Sequence, residues 1–123
     1  MNITMVDHMK YQHNITSEII NNIPVIYIEG DLTSDADGDA KNVYSEVKEQ
    51  YSPHKVIINF ENTKYINSSG IATLIHIIQD VNERGGIIAF VGLTEHLKKV
   101  MNIVGISDFV QMYNSNNDAV KTV

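Results

Sequence analysis

The chain contains no cysteine, which removes disulfide frameworks, thiolate nucleophiles and zinc-finger ligation from consideration. Tryptophan is absent too, proline occurs twice, and nine basic residues face fifteen acidic ones. The nine are scattered rather than gathered into a stripe, and the formal net charge is −6. A nucleic-acid surface needs clustered cations to displace counterions from phosphates, so no direct nucleic-acid contact is expected. Binding to an anionic membrane is disfavoured on the same ground. No apolar run reaches the roughly 18 residues of a membrane-spanning helix. The opening "MNITMVDHMK" has neither a basic n-region nor an apolar h-region, so no secretory signal is read there and a cytoplasmic protein is the simplest expectation. The triplet "NIT", at Asn2 and Asn14, formally matches a glycosylation acceptor, but without a secretory route it carries no weight. What remains is a protein partner with a basic face.

The 123 residues, 43% of them hydrophobic, suit one domain with a single core. Residues 1–12 show no sustained period and read as an N-terminal tail or short extension. "ITSEIINN" (15–22) and "PVIYIEG" (24–30) are β-rich runs around Asn21-Asn22, two residues that tolerate positive φ, so a hairpin is expected. Pro24 fits the start of its second strand. Ala36, Ala40, Val43, Tyr44, Val47 and Tyr51 then recur at three- and four-residue intervals, one face of a helix over 33–52. Thr33 or Ser34 is the expected cap, and Asp35, Asp37 and Asp39 suit the positive end of its dipole. That acidic run lacks the loop pattern of a calcium hand.

"KVIINF" (55–60) reads as a strand buried on both faces. The segment 68–84 reads as a helix with Ile71, Leu74, Ile75, Ile77, Ile78 and Val81 in one stripe and Thr73, His76, Asp80 and Glu83 on the wet side. Gly85-Gly86 stops it, and "IIAFVG" (87–92) is the next strand. Thr94 can cap a helix whose buried stripe is Leu97, Val100, Met101 and Val104, ending at Gly105. "DFVQMY" (108–113) is the final strand, followed by a turn and at most a brief helix. The order β-β-α-β-α-β-α-β implies an α/β fold: a mixed, mostly parallel sheet with an antiparallel edge hairpin, covered by amphipathic helices.

Catalytic patterns are wanting. His8, His13, His54, His76 and His96 are dispersed, with no i, i+4 metal pair. "YINSSGI" lacks the first glycine of a nucleophile elbow. No phosphate-cradling glycine loop occurs, and Asn59-Phe60-Glu61 stands where a receiver-type aspartate would follow its strand. No enzyme, cofactor or metal site is expected. The informative stretch is "YINSSGIATLIHII" (65–78), where Asn67, Ser68, Ser69 and Gly70 precede a helix. Asn67 or a serine could serve as an N-cap and nothing more. Alternatively, a serine hydroxyl at the positive end of a helix could carry a phosphate that the terminus tolerates.

Four blocks in order, "EGDLTSDA" (29–36), "VIINFENTKYINSSGIATLI" (56–75), "GIIAFVGLT" (86–94) and "LKKVMNIVGISDFV" (97–110), resemble the STAS domain family, more narrowly the bacterial anti-anti-sigma factors (anti-sigma factor antagonists). The resemblance covers about residues 14–113, within a domain taken as 13–123. It implies partner switching. The unphosphorylated antagonist binds an anti-sigma factor that is also a serine kinase and so frees a sigma factor; a serine phosphatase reverses the modification. Ser68 matches the phosphoacceptor. Asn67, Ser69, Gly70, Thr73 and His76, with Asp31, Thr33 and Ser34 of the "GDLTSD" turn, would form the partner-binding surface of a monomer or weak dimer. Asn67 stands where the family commonly has aspartate, and Thr33 where many members have another. A scaffold or accessory subunit of a transporter or signalling assembly is the other role this fold admits.

Overall fold

The computed structural model describes residues 12–122; the expected tail and Asn2, apart from Gln12, lie outside the described residues. Strand β1 (His13–Ile20) turns through Asn21 and Asn22, at φ 50° and 67°, into β2 (Ile23–Leu32). Ile20 faces Ile23 in the register, so the loop is two residues long. Paired positive φ values at asparagines match the twist of a hairpin. A 3-10 turn (Ser34–Ala36) leads into helix α1 (Asp37–Tyr51). Then come β3 (Lys55–Asn59), β4 (Thr63–Ile66), α2 (Ser68–Glu83), β5 (Ile87–Val91) and α3 (Glu95–Ile103). A second 3-10 turn (Ser107–Phe109), β6 (Gln111–Tyr113) and α4 (Asn116–Lys121) close the chain.

The sheet order is β1-β2-β3-β5-β6, with only β1 antiparallel. The expected mixed α/β sheet with an antiparallel edge hairpin is therefore found. One strand was not anticipated: β4 pairs parallel with the far half of β2, Asp31 opposite Tyr65 and Leu32 opposite Ile66. The ten residues of β2 serve two partners, positions 25–27 pairing with β3 and positions 30–32 with β4. The ladder shifts register between Gly30 and Asp31. Gly30 sits at φ 84°, and a Cβ there would come within 2.2 Å of the Gln12 carbonyl oxygen, so only glycine fits.

Side chains alternate across the strands. Ile26, Ile28, Ile58, Ile88 and Phe90 join Tyr44, Val47, Leu74, Ile77 and Met101 in a core under α1, α2 and α3. Their neighbours Val25, Ile57, Ala89 and Val91 face the other way, against Ala119 and Val120 of α4. Helices thus cover both faces, but unequally. Three expectations need correction. Neither Thr33 nor Ser34 caps α1 through its side chain; Ala36 occupies the N-cap after the 3-10 turn. Val104 lies beyond the end of α3 and is 44% exposed. The run 108–113 is strand only over β6, because its first residues complete the 3-10 turn.

Lys55 begins the apolar run of β3, yet it is 3% exposed. Its Nζ donates to the carbonyls of Ala119, at 2.7 Å, and Thr122, at 3.4 Å, and sits 5.4 Å from the centre of the Tyr113 ring. An ammonium thus neutralises the carbonyl end of a six-residue helix too short to hold itself. Burial pulls the Lys55 pKa below its usual value. Replacing it by methionine keeps the packing and deletes the clamp. Lys55→Met should cost about 1–2 kcal/mol, with faster amide exchange first at Ala119 and Val120, measured by urea titration and hydrogen exchange.

Candidate functional site

The junction between β4 and α2 is built from the backbone outward. Asn67 has extended geometry and is the N-cap of α2; its Oδ1 accepts the Gly70 N–H at 3.0 Å. Because Asn67 takes the capping role, Ser68 keeps its hydroxyl free. Ser68 is exposed at the first position of the helix, and its hydroxyl makes no hydrogen bond with any described residue. The hydroxyl is open to solvent. Ser69 beside it is half-buried, and its carbonyl accepts from Thr73 Oγ1 at 3.1 Å.

Gly70 is buried. A Cβ there would stand 2.1 Å from the Leu32 carbonyl oxygen, the same oxygen that accepts the Asn67 N–H at 3.3 Å. Gly70 thus allows the first turn of α2 to lie directly on the end of β2. That contact brings the second sequence block alongside the first. Asp31 and Thr33, half-buried, and Ser34, exposed, flank the Asn67–Ser69 corner from the end of β2 and the turn that follows. His76 is exposed two turns along α2. Of the residues expected at a partner surface, Gly70 and Thr73 must be withdrawn because neither reaches solvent.

Thr73 is only 1% exposed. Its hydroxyl donates to Asp37 Oδ1 at the start of α1. Of the expected wet face of α2, His76 and Glu83 are exposed, whereas Thr73 and Asp80 form a polar seam against α1. Further along, the Tyr44 hydroxyl donates to Asp80 Oδ2, which also lies 3.4 Å from Lys48 Nζ. Burial, helped by the Asp80 carboxylate, pushes the Tyr44 pKa up to about 12. The Thr73 hydrogen bond, with Lys41 at 3.3 Å adding to it, holds Asp37 below the usual carboxylate range. Sequence reading also overlooked Tyr65. Opposite Asp31 in β4 and 55% exposed, it puts an aromatic ring on the rim, three positions before Ser68. Among the described residues, no group of three His, Asp or Glu side chains is placed to hold a metal.

A family model described as "STAS domain" matches residues 14–119. The chain belongs to the STAS domain family. Solved structures agree in fold. An anti-sigma factor antagonist from Mycobacterium paratuberculosis superposes with a TM-score of 0.79 at 15% identity, over 90% of this chain and 93% of that one. The phosphorylated form of SpoIIAA, a Bacillus cell fate determinant, gives 0.71 at 18% identity, over 89% and 98%. A sulfate transporter family protein from Wolinella succinogenes gives 0.73 at 17%, over 85% and 87%. No curated protein sequence matches. At these identities the likeness concerns fold. No helix among the described residues of this STAS domain is long and apolar enough to cross a membrane.

Two substitutions test the construction of this corner. Gly70→Ala would ordinarily gain helix propensity of up to about 1 kcal/mol. Here it forces a methyl into a backbone carbonyl, so a net loss of about 2 kcal/mol or more is expected in thermal or urea unfolding. Thr73→Val should lose about 1 kcal/mol at neutral pH. Asp37's depressed pKa contributes stability that is fully present above its ordinary value near 3.8 and is lost as pH falls through the lower folded value. The gap between wild type and Thr73→Val should therefore narrow below about pH 4, as measured by denaturation at neutral and acid pH.

Proposed function

We propose that this STAS domain is an anti-sigma factor antagonist whose contact surface is switched by phosphorylation of Ser68. Its partners would be an anti-sigma factor that doubles as a serine kinase, and a serine phosphatase, both met in the cytoplasm. It acts by binding, not by catalysis. The observation that carries this reading is the division of labour at the head of α2: Asn67 caps, leaving Ser68 exposed with an unengaged hydroxyl. A phosphate at the first helical position meets the positive end of the dipole and the unpaired first-turn amides. The fold tolerates it. A partner seated on the same surface meets roughly two added negative charges and the cost of desolvating them.

Asn67 departs from the family's usual aspartate; the change alters the charge a kinase would meet, and a neutral neighbour does not repel the phosphate. Asp31, Thr33, Ser34, Ser69, His76 and Tyr65 would frame the contact. Ser68→Ala should bind the partner as wild type does and take up no phosphate; Ser68→Asp should weaken binding by about tenfold or more. Affinity capture from the native cell, with mass spectrometry of the phosphate, supplies the partner for that comparison. Wild-type binding by both variants, with no phosphate on any residue, would refute the switch.

A second reading has one observation in its favour, the similarity in fold to a sulfate transporter family protein. In it the domain serves as a scaffold or accessory subunit of a transporter or signalling assembly and Ser68 stays unmodified. Membrane transport components among the captured proteins, in place of a kinase, would decide for it.

A further inference from the structure

At the other end of α2 lies a groove of about 430 Å³ between that helix and the segment following α3. Ile75, Ile78, Val104, Ile106 and Phe109 form its apolar lining. Val104 and Phe109 remain 44% and 61% exposed, an unusual outlay of apolar surface for a chain with three phenylalanines. The volume falls in the range of small-molecule sites, which pair an apolar lining with a few polar groups.

The polar groups have one sign. Gln79 and Asn82 contribute amides, and Glu83 contributes the one charge on the lining. Glu83 has no ion-pair partner among the described residues. The nearest cation in sequence, Arg84, lies near Tyr44 and Asp80 on the α1 side, where its charge favours their ionised forms. Helices α2 and α3 both end at this groove, at Glu83 and Ile103, and Val104 and Gly105 follow directly. The negative ends of both helix dipoles lie here beside the Glu83 carboxylate, their last turns closed by the Gly85, Gly86, Gly105 and Ile106 amides. The exposed ring of Phe109 is a further surface that attracts cations.

We propose that this groove binds a small amphipathic cation, with an aromatic or branched aliphatic body against Ile75, Val104 and Phe109 and an ammonium directed to Glu83. Its lining includes neither Ser68 nor the residues framing it; along α2 the groove begins at Ile75, about 10 Å from Ser68, and its carboxylate, Glu83, lies about 22 Å away at 1.5 Å per residue.

The test is a titration of the full-length, isotope-labelled protein followed by NMR amide shifts. 2-Phenylethylamine is the cationic probe and 3-phenylpropionate its anionic counterpart. The amine should move Ile75, Gln79, Asn82, Glu83 and Phe109 in a saturable way, while the carboxylate leaves them in place. Glu83→Gln, an isosteric change at an exposed position, should reduce the preference for the amine by about fivefold. Phe109→Ala should weaken amine binding without disturbing resonances on the far side of the sheet. No response to the amine, an equal response to the carboxylate, shifts centred elsewhere, or undiminished preference in Glu83→Gln each overturns the proposal.

Discussion

The arrangement of the Ser68 corner depends on one close approach, the carbonyl of Leu32 against the α-carbon of Gly70. The oxygen accepts the Asn67 N–H and leaves no room for a Cβ at position 70. A helix lying over a sheet normally stands off by the thickness of its side chains. Here the first turn of α2 closes that gap and brings two segments separated by some thirty residues into one surface. The extra pairing of β2 with β4 fixes the approach, because Leu32 and Ile66 lie in register just before Asn67. The long strand and the glycine therefore belong to one device. Losing either would leave Ser68 on a helix start with no fixed relation to Asp31 and Ser34.

From that corner α2 runs alongside α1 in the same direction, and the seam is closed at intervals by polar groups. Thr73 reaches Asp37, and Tyr44 with Lys48 reaches Asp80. Each of these carboxylates accepts a hydrogen bond from a hydroxyl and has a lysine within 4 Å, so a partly buried charge is both hydrogen-bonded and balanced. Between the clasps the apolar stripe of α2 sinks into the main core. The helix is held along its whole length by tertiary contacts, and a charge added at its exposed first residue acts on what docks there more than on the fold.

How much of this the sequence revealed follows from what a period can report. The hairpin was legible because two adjacent asparagines between β-rich runs have few other uses. The stripe of Leu74, Ile77, Ile78 and Val81 was legible because its repeat is that of a helix. The fate of Thr73 and Asp80 was not. A helical period separates polar from apolar positions, but it does not distinguish a polar side facing water from one facing another helix's carboxylates. Strand β4 escaped for a related reason: four residues with two exposed members carry almost no alternation signal, and only the length of β2 calls for a second neighbour. Lys55 escaped because its partners are backbone carbonyls more than sixty positions away. Of the corner itself, the motif identified Asn67, Ser68 and Ser69, whereas Gly70's role required knowing which carbonyl lies above it.

The chain's acidity gives the two ends of α2 different chemistry. Carboxylates are spread over the surface, so a further negative charge is unwelcome nearly everywhere. The head of α2 is an exception, since the Asn67 side chain and carbonyl take the Gly70 and Ile71 amides, those of Ser68 and Ser69 have no partner among the described residues, and Asn67 adds no charge. At the tail the dipole reverses, Glu83 adds to it, and the terminus of α3 converges on the same groove. One helix thus presents a place suited to an anion and, about 22 Å away, a place suited to a cation. Its apolar stripe keeps both ends fixed against the sheet, so the two chemistries need not compete for one surface.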